Sequence, residues 1–191
     1  MANDSLHHVD PSVRSAIDPR CAPVAVFRDL VDRFCSLADR QGLFVRPYSG
    51  GSPNHFAALP SARQAEILGN FQRYFDVCEE AVAHGESLLN GNQFLWRMFQ
   101  RLGLRPCSGL MTSIENGDVV EIYDSAFVQV FRSLSFFAIC SYTLDDLLCR
   151  PFWELFRRDQ ALFGRMVGIT ESVLSEAITG VHAWDVPDHS V

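Results

Sequence analysis

Apolar side chains recur at every third or fourth position over three stretches in the first half of the chain, and then the repeat changes. Val24, Phe27, Leu30, Val31, Phe34 and Ala38 fall on one face of a helix, with Gly42 placed to stop it. A second stripe, Ala65, Leu68, Phe71, Phe75, Cys78 and Val82, predicts a helix ending near Gly85. It should begin near Ser61, where Ser61 and Gln64 have the spacing of a capping box. A third helix is predicted over 91–102 from Phe94, Leu95, Met98, Phe99 and Leu102, with Gly103 and Pro106 as stop signals. Residues 43–60 hold Pro47, Pro53, Pro60 and Gly50-Gly51 and read as a loop. Its aromatics, Phe44, Tyr48 and Phe56, predict that it packs down onto the helices. Residues 1–22 show little periodicity and read as a flexible tail.

The period shortens to two after the turn Asn116-Gly117-Asp118. Val119 to Tyr123 reads as one strand, Asp124-Ser125 as a turn and Phe127 to Arg132 as a second strand. Short helices follow: Leu134 to Cys140, then Leu144 to Leu148 capped by Thr143 with Asp146 three residues on, then a piece from Pro151 to about Phe156. A longer helix is predicted from Gln160 to Thr179, stopped by Gly180, with Val181 to Val186 extended beyond it.

Composition narrows the function more by exclusion than by assignment. The 191 residues are 48% hydrophobic and 20% charged, a balance that supports a folded domain and not a disordered chain. A formal net charge of −7 argues against non-specific binding to nucleic acid or an anionic membrane. All 16 basic residues are arginine, which excludes a Schiff-base lysine and a phosphate-loop lysine. The arginines are scattered, as genomic codon bias would leave them, and form no anion-binding cluster. The six cysteines show no C-x-x-C spacing and no histidine at zinc-finger distance, so no metal site is expected. With a polar N-terminus and no apolar run of about 20 residues, the chain is expected to be cytoplasmic, with reduced thiols.

One segment carries a resemblance. The order strand, strand, short helices, longer helix, strand is similar to the opening of the PAS sensor fold. Ser141-Tyr142-Thr143-Leu144-Asp145-Asp146-Leu147-Leu148 resembles that family's G-Y-[ST]-x-[DE]-E-[ILV] segment, and Phe156 to Asp159 its L-x-[HR]-P-[DE]-D neighbourhood. Gly117 to Tyr123, Gln129 to Leu134 and Cys140 to Leu147 look more narrowly like the sensory half of bacterial LuxR-type helix-turn-helix regulators. The resemblance is sharp only over 117–159.

It implies an α+β, helix-rich fold in which N-terminal helices precede an incomplete PAS-like unit of two strands, short helices, a long helix and a strand. The segments expected are the tail at 1–22, a helical region for dimerisation or signalling at 23–105, and the truncated PAS-like unit at 106–191. A PAS sheet has five strands and the pattern supplies two before the helices and a fragment after them. Either the missing strands come from another chain, or the helices cover the sheet instead, or the chain is a shortened relative that lost its output domain. The DNA-binding half of the LuxR-type regulators has no counterpart after Gly180, so direct nucleic-acid reading is not expected.

No cofactor is named by the sequence. Phe152 stands where a flavin-binding relative would carry its reactive cysteine, and Cys149 falls earlier, which speaks against flavin photochemistry. The predicted long helix holds no histidine for haem, and His182 lies beyond its end. No nucleophile elbow, zinc-protease helix, phosphate loop or dinucleotide fingerprint is present. Asp145-Asp146 reads as helix surface and capping, since adjacent positions do not share one face.

The function expected is therefore a non-enzymatic sensory or regulatory module acting through a small ligand or a protein partner, itself included as a homodimer. Phe136, Tyr142, Trp153 and Phe163 are the expected pocket residues. A helical adaptor with no small ligand is the alternative, and a thiol enzyme using Cys140 or Cys149 is the third reading.

Overall fold

The first helix, α1 (Ala22–Arg40), buries Phe27, Leu30, Val31, Phe34 and Ala38 of the stripe its periodicity predicts, adds Leu37, and leaves Val24 partly buried. A computed structural model of the protein describes residues 22–123, 129–150 and 152–155, with 164, 167–169, 171–172 and 175 beyond them. The chain leaves α1 at Gly42, whose φ of 78° suits a residue without a Cβ, and Leu43 N–H bonds back to Ala38 O at 2.9 Å. The expected tail, the turn at Asp124-Ser125, the body of the long helix and the strand after Gly180 lie outside the described residues. Of the long helix, 164, 167–169 and 171–172 are described as helical.

The expected loop over 43–60 contains a helix, α2 (Asn54–Ala58), which at five residues is too short to show a period. Phe56 of α2 is fully buried and stacks on Phe27 at 4.1 Å between centroids. Tyr48 packs down as expected, but Phe44 is 76% exposed, contrary to the expectation.

The second long helix, α3 (Ser61–Ala83), corrects the capping-box expectation. Pro60 is the N-cap and gives no side-chain cap. Gln64 is instead buried and donates its Nε2 to Phe56 O at 2.9 Å, joining α3 to α2. The buried face is accordingly Gln64, Ile67, Phe71, Phe75, Cys78 and Ala81, while Ala65 faces out. The next helix, α4 (Gly91–Leu102), has the expected bounds, with Asn90 accepting from Gln93 N–H at its start and left-handed Gly103 at its end. A single turn, α5 (Leu110–Ser113), follows.

The sheet is a two-stranded antiparallel pair, β1 (Glu121–Tyr123) and β2 (Gln129–Arg132), with a bulge between Ile122 and Tyr123. β1 begins two residues later than the alternation predicts: Ser133 N–H still bonds Val120 O at 2.8 Å, but a side chain takes the return bond. Val120 N–H bonds the Ser133 hydroxyl at 2.9 Å, and that hydroxyl donates to Asp118 O at 3.2 Å. Short helices α6 (Phe136–Ile139), α7 (Leu144–Cys149) and α8 (Phe152–Leu155) follow. Among the described residues the fold is thus mostly helical with one small sheet. Phe131, Leu134, Leu144 and Cys149 belong to the same buried cluster as the residues of α1, α3 and α4, so one core runs across position 105.

Candidate functional site

The residues that carry the PAS resemblance clamp the N-terminal loop. Thr143 and Asp146 form a reciprocal capping box at the start of α7. Burial works against ionisation of Asp146, but the Thr143 hydroxyl and N–H, Arg150 and nearby His55 outweigh it and hold its carboxyl below the usual range. Asp145 corrects the surface reading. It is 2% exposed, and its two oxygens accept His55 N–H and Phe56 N–H, each at 2.9 Å, capping α2 from across the fold. Leu144 N–H and Asp145 N–H bond Arg46 O and Pro47 O at 2.8 and 3.3 Å, and His55 Nε2 lies 3.2 Å from Asp146 Oδ1. The acidic pair is a structural fastener between α7 and α2.

Above this fastener lies a cleft of about 60 Å³. Phe34 of α1 and Asn70, Phe71 and Tyr74 of α3 form one wall, and Gln129, Phe131 and Arg132 of β2 another. Phe137 of α6 and Leu144, Leu147 and Leu148 of α7 close the third side. The lining is mainly apolar, and Arg132 is its one charged residue among those described. Tyr74 is fixed by donating its hydroxyl to Arg132 O at 2.7 Å and by ring contacts with Phe94 and Phe131. Its burial keeps the phenol neutral, far above its usual pKa.

Arg132 is 7% exposed. Its Nη2 meets Glu121 Oε1 at 2.6 Å, and its guanidinium lies 3.9 Å over the Phe136 ring. Nε and Nη1 are buried without a hydrogen-bond acceptor. An unmet buried donor costs about 1–3 kcal/mol, and native structures leave few of them. Sequence reading passed over Arg132 because it sits in an alternating strand, where an arginine normally faces solvent.

The expected pocket residues are placed differently. Phe136 is buried in a second, smaller cluster with Leu147 and Leu155, against which Tyr142 packs. The Tyr142 hydroxyl donates to Leu155 O. Neither lines the cleft, whereas Phe137, next to Phe136, does. Trp153 lies on α8, and Phe163 falls outside the described residues.

Burial disfavours the thiolate of Cys35, Cys78, Cys140 and Cys149, whereas Cys107 is exposed. Burial first, and then the charge and hydrogen bond of Asp145, push the Cys149 thiol well above its usual range. Burial likewise raises Cys140, and Cys35 is pushed up to about 11. Among the described residues, no group of three or more His, Cys, Asp or Glu could hold a metal ion, and no helix is long and apolar enough to cross a membrane. No protein-family model, no curated protein and no solved structure matches the chain.

Proposed function

We propose that the chain is a non-enzymatic regulatory module of PAS type that responds to a small ligand held in the cleft. The carrying observation is where the cleft lies: α1 and α3 wall one side, and β2, α6 and α7 the others. A ligand there touches both the helical region and the strand-and-short-helix region, so it can bias their packing if it binds one arrangement better than the other. The raised Cys140 and Cys149 thiols weigh against the thiol-enzyme reading.

The test is to fill the space. Leu148→Trp should raise thermal stability or leave it unchanged while abolishing the stabilisation that small amphiphiles give the parent protein. Equal stabilisation of both proteins would overturn the reading. A second reading, protein contact without a ligand, is favoured by Phe44 and Ile139, each 76% exposed. They lie on segments joined by Arg46 Nη1 to Ser141 O at 3.2 Å and by Leu144 N–H to Arg46 O at 2.8 Å. If no amphiphile stabilises the parent and Phe44→Ser/Ile139→Ser abolishes self-association, this second reading replaces the first.

A further inference from the structure

We infer that the outer face of α4 is the interface of a homodimer in which the α4 helices of two copies pack antiparallel. This interface is independent of what the cleft binds. The buried side of α4 is Phe94, Leu95, Met98 and Phe99. The opposite side carries Gln93, Trp96 and Gln100, all exposed, and helical spacing extends that row to Leu89 before the helix and Leu104 after it. Trp96, Leu89 and Leu104 are 46%, 47% and 43% exposed. The row bears no charge, although charged residues adjoin it. Arg97 is tied to Glu86 by Nη2 at 2.6 Å and to Glu80 by Nη1 at 3.4 Å, and Arg101 pairs with Asp76 of α3 at 3.6 Å. A central tryptophan with charge kept away from it is the composition of an interface core.

The spacing along the row selects a second copy of the chain as the occupant. A two-fold axis brings residue i of one copy to residue j of the other, and j to i. An axis crossing α4 beside Trp96 sets Leu89 of one copy against Leu104 of the other, Gln93 against Gln100, and the two tryptophans together. Every pair matches, apolar on apolar and amide on amide. The ends match as well. Arg105, exposed beyond Leu104, comes to the Glu86 end of the other copy, whereas a parallel pair would set Arg105 on Arg105. The row runs about 24 Å at 1.5 Å per residue. Its three half-exposed apolar side chains supply less than the ~800 Å² per partner of a standard interface, so the dimer is weak and reversible.

Sedimentation equilibrium of the full chain, from about 10 μM to about 1 mM, measures the dimer directly. The parent should dimerise reversibly, and Trp96→Glu should weaken the dimer about tenfold or more. Gln93 and Gln100 test the antiparallel register. Gln93→Arg/Gln100→Glu sets opposite charges across the interface and should hold or tighten the dimer. Gln93→Arg/Gln100→Arg sets like charges there and should weaken it about threefold or more. Within one copy the two positions are about two turns apart, so neither variant pairs them internally. Should Trp96→Glu fail to fold, the two charge variants still decide. A parent that stays monomeric at about 1 mM would overturn the inference. Equal dimer affinity in the two charge variants would also overturn it. So would a dimer lost in Phe44→Ser/Ile139→Ser and kept in Trp96→Glu, which would move the contact to that other surface. None of these outcomes alters the test of the cleft.

Discussion

Asp145 concentrates what a single residue does here. Its carboxylate is buried, and it meets two backbone N–H groups of α2 that no other described residue accepts. Asp145→Ala should lower the unfolding free energy by about 2–4 kcal/mol, since two buried donors lose a charged acceptor. Asp145→Asn should cost less, because one oxygen remains. Denaturant unfolding at neutral pH measures both, and a cost below about 0.5 kcal/mol for alanine would mean that the α2 cap is not formed in solution. The neighbouring Asp146 was legible in the sequence because its partner, Thr143, is three residues away. The role of Asp145 was not, because its partners lie 89 and 90 positions back along the chain.

At the scale of elements, periodicity located α1, α3 and α4 well, and the end of α4 followed from Gly103. It misread the start of α3. Ser61 and Gln64 have the right spacing for a capping box, yet Gln64 is drawn inward to Phe56 O. Ser61→Ala should therefore change stability by less than about 0.5 kcal/mol, whereas a true N-cap would cost about 1 kcal/mol. Gln64→Ala should cost about 0.5–1.5 kcal/mol by removing a buried hydrogen bond and leaving Phe56 O with the Leu59 N–H alone, at 3.2 Å. The reverse order in thermal or denaturant unfolding would restore the capping box. Short elements escape this kind of reading altogether: α2 and α5 span fewer than two turns, so they present no repeat, and their helical state depends on what holds their ends.

For the molecule as a whole, the question is whether the segment before position 106 and the segment after it are separate units. The buried cluster joins them through Phe94 and Tyr74 against Phe131, with ring centroids 5.6 and 6.0 Å apart, and through Phe34 against Phe137 at 6.1 Å. Splitting there would take Phe131 away from the rings of Tyr74 on α3 and Phe94 on α4. Native-state hydrogen exchange should accordingly give the slowest amides of α1, α3 and β2 the same opening free energy, that of global unfolding. A distinctly lower value for β2 and α7 would show instead that the strand-and-short-helix region opens as its own unit. The cleft belongs to this scale too, since its walls come from five elements spread between Phe34 and Leu148.

The sequence by itself determined α1, α3 and α4, most of their buried residues, the pair of strands and the Thr143–Asp146 cap, because each depends on residues within a few positions of one another. It also carried the PAS resemblance, whose Tyr142-Thr143-Leu144-Asp145-Asp146 core turns out to sit on α7 and its approach. Only the tertiary structure decided that Asp145 caps α2, that Gln64 turns inward, that Phe137 and not Phe136 faces the cleft, and that Arg132 is buried with two donors unmet. The physical reason is the same in each case. The free energy of a buried polar group is set by which partner the fold brings to it, and those partners are distant along the chain.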